Sequence, residues 1–286
     1  MPIPTDMPTE KFQRYQSRVT EERTSKKART QRHAEYESSL APKANFATLN
    51  GTVHHYFDSG ETASGETVIL IHGWDCWWMW WHKVIAHLNA KGVRTIAYDL
   101  KGHGWSDTDS KNDYSLESLS QDLQSLVQHL GLKRYHLASF SLGAFVALDY
   151  AVRFQNEVAS ATFFNFGVFP NSPLLSKIIP KAIPFLFDKV VRKIKWWPLL
   201  YAYARITLAR NPASKEDILI GMNSLTQCSP EAIRGTAEQL AKIEITENLP
   251  KQVEKLRIPT LFVAGKGDQV VSWKHTKELH GHAVNG

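Results

Sequence analysis

The chain has little cysteine: Cys76 and Cys228 are the only two in 286 residues, far apart and without metal-ligand spacing. That scarcity excludes a disulfide-stapled scaffold, and reduced thiols in a cytoplasmic protein are the expected state. Long apolar runs are missing too. No stretch reaches 18 apolar residues, so no segment is expected to span a membrane as a helix. The start, Met1-Pro-Ile-Pro-Thr-Asp-Met-Pro8, has neither a basic opening nor an apolar stretch behind it, which predicts no secretory signal. No internal repeat and no metal, nucleotide or flavin motif is present, so neither a metal nor a cofactor is expected. What is there is ordinary for a globular protein, 43% hydrophobic and 22% charged, and long enough for one large domain with an insertion.

Charge is the one compositional asymmetry. Between Lys177 and Arg210 eight cations face a single acid, Asp188, which leaves the remainder close to neutral against a net charge of +6. The same stretch is rich in Ile, Phe, Trp and Tyr, including Trp196-Trp197. Basic residues among aromatics suit an anionic membrane surface or an amphiphilic substrate; a solvated helix face over an apolar pocket is the plainer reading and is preferred. Nucleic acid is not an expected partner, because no recognition motif accompanies the charge.

Residues 1–44 are polar with few large aliphatics and read as an extension outside the core. Organised sequence begins near Ala47, and Gly51 to Phe57 alternates as an edge strand would. Thr67-Val-Ile-Leu-Ile71 is a continuous apolar run that fits a buried parallel strand, followed by a helix from about Trp77 to Ala90. Strands at Val93–Tyr98, Tyr135–Ser139 and Val158–Phe164 alternate with helical patterns, one opening at the N-cap candidate Ser115. This alternation predicts a mostly parallel sheet with helices on both faces. From 167 to 256 the pattern turns to helices and prolines, too long for a bare connection, so a helical cap is expected there. The core therefore divides into 45–166 and 257–286, the latter opening with the strand Pro259–Ala264.

Ser139-Phe140-Ser141-Leu142-Gly143 sits where a strand-like run meets a helix-like run. A serine there can be held on a tight turn with its hydroxyl above the sheet, provided that the residues two before and two after are small. Ser139 takes the place of the usual first glycine and keeps the volume small. The plain alternative is a polar residue capping a helix.

Four segments together resemble the α/β-hydrolase family: Leu70-Ile-His-Gly-Trp74, Asp99-Leu-Lys-Gly-His-Gly-Trp-Ser-Asp107, the Ser141 turn, and Phe262-Val-Ala-Gly-Lys-Gly-Asp268. The resemblance covers about Gly51 onward and implies Ser141 as nucleophile, with backbone N–H groups of Leu142 and Trp74 as oxyanion hole. It implies Asp268 as the acid that orients a histidine; a turn residue after Gly265 and Gly267 is the alternative. His72, Asp99 and His103 read as supports of their loops, and Cys76 as packing. Relatives that open epoxides or displace halides carry a carboxylate at the turn, so Ser141 points to acyl transfer to water instead.

The base is the weak point of this resemblance. The family's order is Ser, Asp, His, yet only 18 residues follow Asp268. A helix, a strand and two connections need more than about 20 residues. Trp273–His280 reads as that helix, leaving His282 as the base candidate one strand too early. Either the chain is shortened, lacking the last strand and helix, or a rearranged tail brings His282 to Ser141; the first is preferred. The expected function is a serine hydrolase cleaving a small-molecule ester with an apolar portion through an acyl-enzyme. Its rival is a non-catalytic relative that keeps a ligand pocket. Trp77, Trp78, Trp80 and Trp81 motivate the apolar portion, with helix packing as their equal alternative.

Overall fold

In the computed structural model of the protein, the residues described are 44–168, 173–193, 197–207 and 224–286, with isolated positions at 13, 17, 20, 21 and 214. The expected extension over 1–44 lies outside them apart from Ala44 and the isolated positions. Seven strands form one sheet: β1 (Ala44–Leu49), β2 (Thr52–Asp58), β3 (Thr67–Ile71), β4 (Arg94–Tyr98), β5 (Tyr135–Phe140), β6 (Val158–Phe164) and β7 (Thr260–Val263). Their order is β1-β2-β4-β3-β5-β6-β7. The last five strands in that order run parallel, while β1 and β2 pair antiparallel, β2 also against β4.

The edge strand differs from the sequence expectation. β2 lies inside the sheet, because β1 continues the chain upstream and pairs outside it, with Leu49 opposite Thr52. Asn50 and Gly51 form the two-residue turn at φ 49° and 84°, the left-handed pair that a tight hairpin requires. The Asn-Gly pair was the available sequence signal.

Alternation along β3 sorts the core. Ile69 and Ile71 point to one face, where they join Leu119, Leu123 and Leu126 of α2 (Leu116–His129) and most of α3 (Leu142–Arg153). Leu70 points to the other face and packs with Trp77, Trp78, Trp81 and Ile85, the last from α1 (His82–Ala90). All three β3 residues are fully buried, each stabilising the fold by about 1.5–3 kcal/mol. The tryptophan run therefore packs beneath the sheet: Trp78 stacks on Phe57 with ring centroids 5.5 Å apart, and only Trp80 is exposed. Ser115 caps α2, accepting the Ser118 N–H at 3.2 Å.

Between β6 and β7 the described elements are helical: α4 (Pro173–Lys189), α5 (Trp197–Thr207), α6 (Ser224–Gln227), α7 (Pro230–Leu240) and α8 (Ile243–Val253). The helix α7 is tied to the loop after β4, since Ser229 donates its N–H to the Gly102 carbonyl at 2.7 Å. After β7, α9 (Trp273–His280) buries Leu279 in the same face as α3 and α8. Among the described residues no strand pairs with the outer side of β7, and Leu261 is 57% exposed there.

Register fixes where a site can form. Ile71 pairs with Tyr98 and Ser139, Phe140 with Phe164, and Phe164 with Val263. The loops beginning at His72, Asp99, Ser141, Asn165 and Ala264 thus emerge along one edge of the sheet.

Candidate active site

Ser141 joins β5 directly to α3 with φ 51° and ψ −123°. A non-glycine residue rarely adopts this conformation, so the surroundings must impose it. They do so through close packing. A Cβ on Gly143 would lie 2.4 Å from the His72 carbonyl oxygen and 2.5 Å from that of Ile71. Only glycine lets α3 start this near β3. On the strand side, Ser139 is fully buried and its hydroxyl donates to the Thr162 carbonyl of β6 at 3.3 Å. A small side chain suffices there, which explains why serine can stand where glycine is usual. Ser141 itself is half-buried.

Leu142 is the first residue of α3, so its N–H has no acceptor within the helix. The loop after β3 runs against the serine: a Cβ on Gly73 would stand 3.1 Å from the Ser141 Cβ. His72 fixes that loop. Its Nε2 accepts the Leu100 N–H at 3.0 Å, so Nδ1 carries the proton and donates to the Gly73 carbonyl at 2.8 Å. Burial pushes its pKa below the ordinary 6.5, against the opposing pull of Asp99 and its bond to Gly73. With both nitrogens occupied, His72 holds a loop. Trp74 follows, half-buried, its indole donating to the Ile233 carbonyl of α7 at 3.0 Å and its ring 4.8 Å from Phe187 of α4.

Asp99 anchors the neighbouring loops. Its carboxylate accepts from His55 Nδ1 at 2.8 Å, Trp78 N–H at 2.8 Å and Trp105 N–H at 3.0 Å. Burial alone would raise its pKa, but the His55 bond and its companions hold the carboxyl below the ordinary range. A Cβ on Gly104 would fall 2.3 Å from this carboxylate, which accounts for the glycine.

Asp268 reaches the same edge two strands away, roughly 10 Å from the β5 end at ordinary strand spacing. One carboxylate oxygen accepts the N–H groups of Val270 and Val271, both at 2.7 Å. Asn165 links the strand ends, its side chain accepting the Gly265 N–H at 3.1 Å. Sequence reasoning passed over Asn165; its φ of 47°, just after a strand, suits asparagine in particular.

The structure does not bring His282 to Ser141. From the site edge, α9 runs back along the sheet for eight residues, about 12 Å. Asn285 then accepts the Thr260 N–H at the start of β7, 2.8 Å away. His282 consequently lies at the opposite edge, with Nδ1 2.8 Å from a Glu254 oxygen. The expected base is corrected on that ground: the helix carries it away from the serine. His275, in the first turn of α9, stays nearer the site edge, its backbone packed on Gly167. Among the described residues no side chain hydrogen-bonds the Ser141 hydroxyl.

A family model described as alpha/beta hydrolase fold matches residues 66–205. This chain has the α/β-hydrolase fold. The chain is 28% identical over 261 residues to soluble epoxide hydrolase of Corynebacterium sp. (strain C12), covering 83% of this chain and 87% of that protein. It is 36% identical over 118 residues to epoxide hydrolase 3 of Xenopus tropicalis, but the match spans 31% of that protein. A 33% match to the mouse mesoderm-specific transcript protein covers 44% of that protein. Among solved structures, an esterase from Exiguobacterium antarcticum superposes with a TM-score of 0.70 at 21% identity, covering 84% of this chain and 87% of that one. No described helix is long and apolar enough to cross a membrane.

Proposed function

We propose that this α/β-hydrolase-fold protein cleaves an ester or related acyl compound through an acyl-enzyme on Ser141. The observation behind the reading is the strained Ser141 turn at the C-terminal end of β5, pressed against the loop after β3. The Ser141 oxygen adds to the substrate carbonyl, and the oxygen that becomes negative faces the backbone N–H groups of Leu142 and Trp74. The C–O bond to the alcohol breaks and the alcohol leaves with a proton. Water then adds to the acyl-enzyme, releasing the carboxylic acid and returning the hydroxyl to Ser141.

The similarity to epoxide hydrolases does not extend this chemistry to epoxides. A carboxylate that opens an epoxide leaves an ester, which water can cleave. A serine that did so would leave an ether, which water cannot cleave under these conditions. The residue at the turn therefore favours carbonyl substrates.

The helices between β6 and β7 act in this reading as a cap over the site. Trp74, Phe187 and Ile233 meet where the cap joins the β3 loop, and they favour a substrate with an apolar portion. Asp268 takes the position of the orienting acid. With no imidazole on the Ser141 hydroxyl among the described residues, slow turnover is expected, because losing the base of such a site costs several orders of magnitude. Cys76 and Cys228, buried and not disulfide-bonded, fit a reducing, cytoplasmic setting.

The missing contact to Ser141 also supports a second reading, a ligand-binding relative without turnover. Hydrolysis of a short-chain aryl ester, beside Ser141→Ala, separates the two. Slow release above background that disappears in Ser141→Ala supports the enzyme. Equal rates for both proteins, with ligand-induced stabilisation intact, support the binder.

A further inference from the structure

Helix α4 carries apolar side chains on its outer side as well as on the side that packs inward. Pro180, Pro184 and Phe187 follow one another at helical spacing and face inward, where α4 packs on α7. The opposite side carries Leu174 at 67% exposure, Ile178 at 48% and Phe185 at 64%. Leu186 and Val190 flank them, about half exposed, and on α5 Leu199 and Ile206 are exposed as well. An exposed apolar patch of this extent, rimmed by charged residues, marks an interaction surface.

Charge decides between occupants. Lys177, Lys181, Lys189, Lys193 and Arg205 are exposed around the patch, while Asp188, 4.0 Å from Lys189, is the only acid of the segment. A second copy would bring the same cations against these, so like charges oppose a symmetric dimer here. Nucleic acid would offer phosphates but leave Leu174, Ile178 and Phe185 against a polar backbone. An anionic bilayer matches both components, headgroups for the lysines and acyl chains for the apolar side chains.

We propose that the α4–α5 face docks on anionic phospholipid bilayers, with Leu174, Ile178 and Phe185 inserted and the surrounding lysines on headgroup phosphates. The inference does not rest on the Ser141 chemistry. It does place a bilayer next to the site: a cavity of about 330 Å³ lies between α4 and α7, lined among others by Pro184, Phe187 and Ile233. Phe187 and Ile233 are the residues that Trp74 touches. An amphiphile held in the membrane would have its apolar end against the neighbours of Trp74, whose N–H belongs to the proposed oxyanion hole.

The test is co-sedimentation of the full chain with phosphatidylglycerol vesicles and with phosphatidylcholine vesicles, using both wild type and Ser141→Ala. Both proteins should sediment with phosphatidylglycerol, weakly with phosphatidylcholine, and less as salt rises. Lys177→Gln with Lys181→Gln should weaken binding roughly thirty-fold, at about fivefold per basic side chain. Phe185→Asp with Ile178→Asp should abolish it, while Leu261→Asp, a control on the exposed edge of β7, should bind as wild type. Thermal melts of each variant verify folding. Three results overturn the proposal: no sedimentation with phosphatidylglycerol, binding unchanged in the Phe185 and Ile178 variant, or vesicle-free self-association that this variant removes. The last would assign the face to a second copy.

Discussion

The two ends of the candidate site are held in different ways. At the β5 end, Ser141 is fixed by backbone packed against backbone: Gly143 under the His72 and Ile71 carbonyls, Gly73 beside the serine, Ser139 bonded to β6. At the β7 end, Asp268 rests on two turn N–H groups, in front of a strand of four residues whose outer side pairs with no strand among the described residues. The first end is specified by short segments from β3, β5 and β6 that meet backbone to backbone, each recognisable by its own small residues, with a buried carboxylate behind them. The second depends on where a helix and a tail go. Strain in the backbone survives only where the surroundings over-determine it, and that condition holds at Ser141.

The contrast can be broken most forcefully at Asp99. Asp99→Ala leaves His55 and two backbone N–H groups buried without their acceptor, at a cost of about 3–5 kcal/mol in a denaturant titration. Gly143→Ala should cost about 3 kcal/mol through the same measurement, because its new Cβ overlaps two carbonyl oxygens. Leu261→Lys at the other end should stay within about 0.5 kcal/mol of wild type.

How far each end was legible in the sequence follows from the same difference. The Ser141 turn, the His72 loop and the Asp99 loop are short segments whose small and polar residues state their own geometry. The parallel order around β3 followed from apolar runs alternating with helices. The sequence could not say which way the tryptophans point, because a helix of the right length fits either face until the sheet register is known. Nor could it place His282. That residue's position is decided by the direction of α9 and by the Asn285 contact with Thr260, neither of which is a local property. The strand β1 was missed although Asn50-Gly51 announced a hairpin, because Ala44–Leu49 follows a long polar stretch.

Acid should act on the well-held end. His72 is neutral in the fold with a lowered pKa, so the unfolded chain takes up a proton there first as pH falls below about 6.5. Stability is therefore lost on going down through that range, and again below about 3.8 as Asp99 is protonated. Melting temperature against pH should show the upper decline in wild type and a flatter one in His72→Asn. Ser141→Gly should raise stability by about 1 kcal/mol, since glycine accepts φ 51° without strain, while ending acylation. The smallest effect belongs to His282→Ala: its partner Glu254 is exposed, so both stability and any Ser141-dependent turnover should remain at the wild-type level.

The central proposal is that Ser141 is acylated at a formed nucleophile turn whose hydroxyl has no imidazole partner among the described residues. It is tested most directly by the rate of Ser141 acylation by a short-chain aryl ester, followed by intact mass from about pH 6 to about pH 9. The expected result is one acyl group per chain, absent in Ser141→Ala, with a rate that climbs with hydroxide across the whole range. A rate that levels off above about pH 7 would report a histidine working on Ser141 and contradict it.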